Sequence, residues 1–209
     1  MARCPLCTER PAKRFCPAKQ TAICAVCCGT KREVEIDCPS SCVHLQAGRS
    51  YESQRRLPDP QLIARARSFR EDFLRTYGPI LSELGKAVAE ERLTSPWLVD
   101  LDVAEVYRAL TATMKTLSSG IYYESVPDSP GRIPLFRRLK AIFDGLMAPS
   151  DAQHRALRVT EVLEILDFLL LSCTANSSGR PRSRQYLDWI SSVSGMATPP
   201  PESSRLIIP

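Results

Sequence analysis

The stretch Cys4-Pro5-Leu6-Cys7, followed by Cys16 and by Cys24-Ala25-Val26-Cys27-Cys28, decides how this chain begins to fold. Cys38 and Cys42 come next, with His44 two residues beyond. Eight of the nine cysteines thus lie between positions 4 and 42, in a segment too short to bury an apolar core. Such crowding has two ordinary explanations, a disulfide framework or metal. The opening MARCPLCTERPAKRFCP has neither the apolar run nor the cleavage site of an export signal. The cysteine total is odd, and Cys173 stands alone in a leucine-rich stretch. These features predict a reducing, cytoplasmic compartment and thiolates on metal.

Two cysteines separated by two residues can both face one tetrahedral ion, with sulfur about 2.3 Å from zinc. Two such pairs complete a site, so eight thiols and a nearby histidine suit two ions. Iron–sulfur clusters also use four cysteines, but their common runs are more tightly spaced. Zinc is the expected metal, in two structural sites.

The run from Phe15 to Cys27 resembles the centre of the B-box zinc-binding domain. That family has a first Cys-x2-Cys pair, a later cysteine, a second Cys-x2-Cys pair and two late ligands, and seven residues stand here between Cys16 and Cys24. The resemblance implies a cross-brace, in which Cys4, Cys7, Cys24 and Cys27 share one ion. It assigns Cys16 and the late pair Cys38 and Cys42 to the other. The chain departs from the family at Lys19, where a Cys or Asp is usual, and a protonated amine cannot ligate. Cys28 is the preferred replacement, turned away from its neighbour Cys27; His44 is the alternative ligand. A packed free thiol at Cys28 and a plain surface histidine at His44 are the competing readings. The resemblance spans residues 1 to about 46 and implies a protein-interaction module. The segment Cys27-Cys28-Gly29-Thr30-Lys31-Arg32 is also similar to one in bacterial proteins of uncharacterised function, which brings no activity with it. Its last four residues read as a turn with exposed basic side chains.

The formal charge is +5, all of it in residues 1–56, which carry ten Lys and Arg against five acids. A basic finger invites nucleic acid as a partner, through Arg10, Lys13, Arg14, Lys31 and Arg32. Eight thiolates on two divalent ions bring this segment to about +1, which weakens that reading. Only Phe15 and Tyr51 are available there for base stacking. The Cys2His2 pattern whose helix enters the major groove is absent.

The remainder predicts helices. Residues 47–60 read as a linker or the start of a connecting helix, and residues 61–195 as a bundle of about six helices. Asp59-Pro60 is a cap and first-turn proline, and Leu62 to Tyr77 follow at helical spacing until Gly78-Pro79. Further helices are expected over 79–92, 101–118, from Pro134 to Leu146, and near 183–194. Ser150-x-x-Gln153 predicts the opening of the longest helix, whose half from Val159 to Leu171 is apolar on nearly every side. Glu161, Glu164 and Asp167 make it too charged to span a bilayer. Residues 196–209, with three consecutive prolines, read as a flexible tail. The expected fold class is therefore mainly α: a small two-zinc cross-brace module at 1–46, then a helical bundle.

Catalytic signatures are missing. There is no Gly-rich phosphate loop, His-Glu-x-x-His or nucleophile elbow. His154 falls in the first turn of the long helix, and Cys173 reads as an inert small hydrophobe. Tyr122 and Tyr123 are either interface anchors or loop plugs. Arg180, Arg182 and Arg184 read as a solvated face or as contacts for phosphate or acidic partners. The expectation is a non-enzymatic cytoplasmic adaptor that binds another protein, with a nucleic-acid- or ribosome-associated factor as the alternative and no membrane.

Overall fold

The computed structural model describes residues 2–55, 57, 59–148 and 155–196. It is mainly helical and divides into two compact units. One comprises Met1–Leu57 with Arg180–Arg182; the other comprises Pro58–Gly179 with Ser183–Met196.

The first unit begins with a hairpin. Strands β1 (Arg14–Cys16) and β2 (Thr21–Ile23) pair antiparallel, with Cys16 opposite Thr21. Gln20 closes the turn at φ 51°, and its side-chain amide donates to the Pro17 carbonyl at 2.6 Å. Helix α1 (Ala25–Lys31) follows at once, because Cys24 caps it: the Cys24 sulfur accepts the Cys27 N–H at 3.3 Å. The sequence reading of Gly29 to Arg32 as an exposed basic turn is corrected here. Residues 29–31 are the last turn of α1, Lys31 pairs with Glu35 at 2.5 Å, and Arg32 is half-buried. Helix α2 (Val43–Arg55) occupies most of the stretch read as a linker or connecting helix, and Arg56 and Pro58 lie outside the described residues. The Arg32 guanidinium passes so close to Gly48 on α2 that a Cβ there would meet its Nη1 at 1.2 Å. A side chain at position 48 would displace the Arg32 guanidinium, the movable end of a long side chain.

Buried in this unit are Cys4, Cys16, Ile23, Cys24, Cys27, Ile36, Cys38 and Leu45. Five of these eight are cysteines, so only three ordinary apolar side chains are fully covered. At about 1.5–3 kcal/mol per large side chain, such a core cannot offset the ordering of some fifty residues.

The second unit has a conventional apolar core. Helix α3 (Pro60–Ser68) opens where the sequence indicates, with Asp59 accepting the Gln61 N–H at 2.8 Å. It does not continue to Tyr77. The chain breaks between Ser68 and Phe73, and α4 (Phe73–Thr94) runs through Gly78-Pro79. The break lets Phe69 fold back onto Phe73 and Phe168, with ring centroids 5.0 and 5.3 Å away. Phe73 in turn meets Tyr77 and Phe168, each at 5.0 Å. Burying this aromatic cluster offsets the hydrogen bond that Pro79 removes from α4.

Helices α5 (Asp100–Ser118), α6 (Ile133–Met147), α7 (Val159–Asn176) and α8 (Gln185–Val193) complete the bundle, and a single 3-10 turn at Pro130–Arg132 leads into α6. The α7 start differs from the expectation. Residues 155–158 are not helical, and the helix opens at Val159, where the Glu161 carboxylate accepts the Arg158 N–H at 2.8 Å. Ser150, Gln153, His154 and the tail from 197 onward lie outside the described residues. Helix α7 packs against α3, α5 and α8, while α4 packs against α6 and α8. Among the described residues no helix is long and apolar enough to cross a membrane.

One buried carboxylate ties distant parts of this bundle together. Asp100, at 1 % exposure, accepts hydroxyls from Ser177 at 2.8 Å and Ser183 at 2.7 Å. It also accepts the Tyr186 and Leu187 N–H groups, so the first residue of α5 caps the start of α8. Burial pushes its carboxyl above the usual range, against the pull of these donors.

Candidate metal centre

The sulfurs of Cys4, Cys7, Cys24 and Cys27 all lie within 4.8 Å of one another. A tetrahedral zinc with sulfurs about 2.3 Å away requires sulfur–sulfur edges of about 3.8 Å. The Cys7–Cys24 edge is 3.9 Å. Four thiols at this spacing form a donor set suited to zinc.

Local backbone geometry makes the cluster. The first pair sits on a tight turn in which the Thr8 N–H donates to the Cys4 carbonyl at 2.7 Å and the Cys4 N–H donates to the Arg10 carbonyl at 2.8 Å. Thr8 takes φ 57°, the left-handed conformation that reverses the chain there. The second pair sits at the mouth of α1, where Cys24 is the cap and Cys27 the third helical residue. The hairpin between the two pairs brings them face to face.

Three of these thiols, Cys4, Cys7 and Cys27, are shifted from the ordinary thiol range. Cys4 is brought down to about 6: burial opposes this, but N–H groups of Cys24, Leu6 and Cys7 outweigh it. The Arg10 and Glu9 backbone lowers Cys7. Cys27 is pushed up to about 12 by burial and by the sulfurs of Cys24, Cys7 and Cys4 around it. A divalent cation among these sulfurs would bind them as thiolates and release their protons.

The other sulfurs gather less tightly. Cys16, Cys28, Cys38, Cys42 and His44 all line one small apolar pocket between the hairpin, α1 and the start of α2. Burial and then the charges of Cys42 and Cys16 push Cys38 upward, although the Glu33 backbone opposes this. These five do not reach the mutual approach of the first four, which are the only close ligand group among the described residues. Lys19 does not line this pocket; its N–H donates to the Cys16 carbonyl at 3.2 Å in the hairpin turn.

Beside this pocket lies a group that the sequence did not single out. Glu33 is fully buried at φ 56° and pairs with Arg49 of α2 at 2.6 Å. Arg180 approaches Glu33 at 3.6 Å and Glu52 at 3.0 Å, and the Arg182 N–H donates to the Glu33 carbonyl at 2.8 Å. The reading of Arg180 as a solvated arginine is thus corrected: its acidic partners are within the same unit. Arg184 donates to the Leu98 carbonyl at 3.1 Å in the helical unit. Nothing local separates Glu33 from its neighbours Glu35 and Asp37, and its partners Arg49 and Arg180 lie further along the chain.

Several other singled-out residues also have clear environments. Cys173 is buried at the end of α7 and pushed up to about 12 by burial, as an inert thiol would be. Tyr122 and Tyr123 are exposed at 66 % and 64 %, so they do not plug the bundle; the Lys140 ammonium sits 5.8 Å over the Tyr122 ring.

No family model, curated protein or solved structure matches this chain.

Proposed function

We propose that this protein is a non-enzymatic zinc-binding adaptor whose N-terminal module is a B-box-like cross-brace holding two structural zinc ions. The observation that carries it is the four-sulfur cluster of Cys4, Cys7, Cys24 and Cys27. A closed set of four thiolates leaves no open coordination position, so the ion serves folding rather than catalysis. The second ion would use Cys16, Cys38 and Cys42 with Cys28, and His44 is the alternative fourth ligand. Their common pocket supports this assignment. Metal at that position would draw its four ligands together, as binding and folding are coupled in such modules.

Protein binding is the role that suits this architecture. The exposed run Ile121, Tyr122 and Tyr123 offers large side chains with few torsions to freeze. Nucleic acid is the weaker partner, because Lys31 is paired with Glu35 and Arg32 is turned onto the carbonyls of Gly29 and His44. A reducing, cytoplasmic compartment follows from the need to keep eight sulfurs as thiolates.

The test is elemental analysis and native mass spectrometry of the purified chain, with identification of what co-purifies. Two zinc ions per chain and a retained protein partner are expected. A single ion would remove the second site. A steeply salt-sensitive association with nucleic acid, and no protein partner, would replace the adaptor role.

A further inference from the structure

The helical unit contains a second concavity, unrelated to the sulfurs. It lies between α4, α7 and α8 and has a cavity volume of about 150 Å³. Its apolar wall is made by Leu81, Phe168, Leu169, Ile190 and Val193, with the rings of Tyr186 and Trp189. Trp189 is 37 % exposed at the rim and stacks at a tilt on Tyr186, 5.8 Å between centroids. Ser82, Ser172 and Ser194 supply the only other side chains. The close approach of α4 and α8 shapes one wall. At Gly85 of α4 a Cβ would meet the Ser194 Oγ at 2.8 Å and the Ile190 Cδ1 at 3.1 Å, so a larger residue there would make those two side chains shift.

The lining dictates the chemistry of an occupant. None of its members is charged; Tyr186, the one titratable group, has its hydroxyl bonded to Tyr107 at 2.9 Å. A charged ligand would lose its hydration with no countercharge in return. Apolar cavities of about 150 Å³ accept a single aromatic ring. Ligand sites typically combine such apolar walls with a few polar groups that fix orientation. Here the three hydroxyls meet that description, and no other described side chain is hydrogen-bonded to them.

We propose that this cavity binds a small neutral aromatic ligand of one or two fused rings, held by ring contacts with Phe168 and Trp189 and oriented by the serine hydroxyls. The site is independent of the zinc module and of the adaptor role.

Titration of the zinc-loaded full-length chain with indole, followed by methyl resonances, tests it. Saturable shifts confined to Leu81, Leu169, Ile190 and Val193 are expected. Ser172→Phe, which fills the cavity from α7, should weaken indole binding by about ten-fold or more with unchanged helical circular dichroism. If that variant folds poorly, Ser82→Phe at the exposed rim serves as the second block. Benzoate, an anion of similar size, should bind about ten-fold more weakly than indole. Absence of saturation up to the solubility of indole, or equal binding by the folded filled variants, would overturn the site. Equal affinity for benzoate would overturn the neutral-ligand assignment.

Discussion

The two units of this chain solve the same problem with different materials. The helical unit buries Leu84, Val88, Val103, Leu110, Phe136, Phe143, Ile165 and Leu166 completely, among many others. Among the described residues, the cysteine-rich unit covers just three apolar side chains besides its sulfurs, Ile23, Ile36 and Leu45. A long amphipathic helix can cover apolar surface with apolar surface. A short segment of hairpin and loops cannot, and it needs cross-links with large energy per residue. On the proposed reading, zinc held by the sulfurs would supply those cross-links. Stability in one unit should therefore depend on zinc and thiolate chemistry, and in the other on packing.

The largest test of this contrast is removal of metal. Chelation, or Cys24→Ser, should unfold the first unit, since structural zinc is worth on the order of 10 kcal/mol in such modules. Most helical circular dichroism should persist, while hydrogen exchange becomes fast only in the first unit, residues 2–55 with Arg180–Arg182. Simultaneous loss of the helical signal would break the division between metal-held and packing-held units. The complementary variant is Phe143→Ala, at 0 % exposure in the helical core. It should cost about 3–5 kcal/mol in denaturant unfolding of the helical unit and leave the zinc content unchanged. Loss of zinc in this variant would break the contrast from the other side.

A smaller effect probes what metal does not provide. Glu33→Ala leaves Arg49 and Arg180 without their buried carboxylate, which should cost the first unit about 3 kcal/mol while zinc stoichiometry is retained. The measurement is the chelator concentration needed for half-unfolding, which should fall. An unchanged midpoint would mean that metal alone specifies this unit.

The smallest effect is a pH dependence in the helical unit. Burial would raise the Glu161 carboxyl, but the Arg158 N–H and side chain, the Tyr77 hydroxyl and Arg155 outweigh it and hold it below its ordinary 4.5. A carboxyl lowered on folding stabilises above its unfolded value, and the gain disappears as pH falls through the folded value. Glu161→Gln should therefore cost about 1 kcal/mol at pH 7. Its thermal midpoint should converge on that of the parent chain once the pH drops below that range. A constant gap across pH would show that the carboxylate charge is not what the site uses.

Local pattern made part of this molecule readable. The Cys-x2-Cys spacing names sulfurs that a turn and a helix mouth bring together, and the four grouped by the family resemblance are the four that cluster. Helices α5, α6 and α8 likewise follow their apolar periodicity closely. The break at Phe69 was not legible, because its cause is Phe168, about a hundred residues away. Gly78-Pro79 looked like a stop, yet the aromatic cluster made continuing the helix favourable. The start of α7 at Val159 was equally hidden, since Glu161 is fixed by Tyr77 and Arg155 as well as by its own turn.

By itself, the sequence determined that one end of this chain is organised by sulfur and the other by amphipathic helices, because both signals are periodic and local. Tertiary structure alone decided which acids are buried, with Glu33 held by Arg49 and Arg180 and Asp100 held by Ser177, Ser183 and the start of α8. It alone also formed the apolar cavity beside Trp189. The physical reason is the same in each case: the cost of burying a charge, or of leaving a void, is set by groups that meet only after the chain has closed loops of many residues.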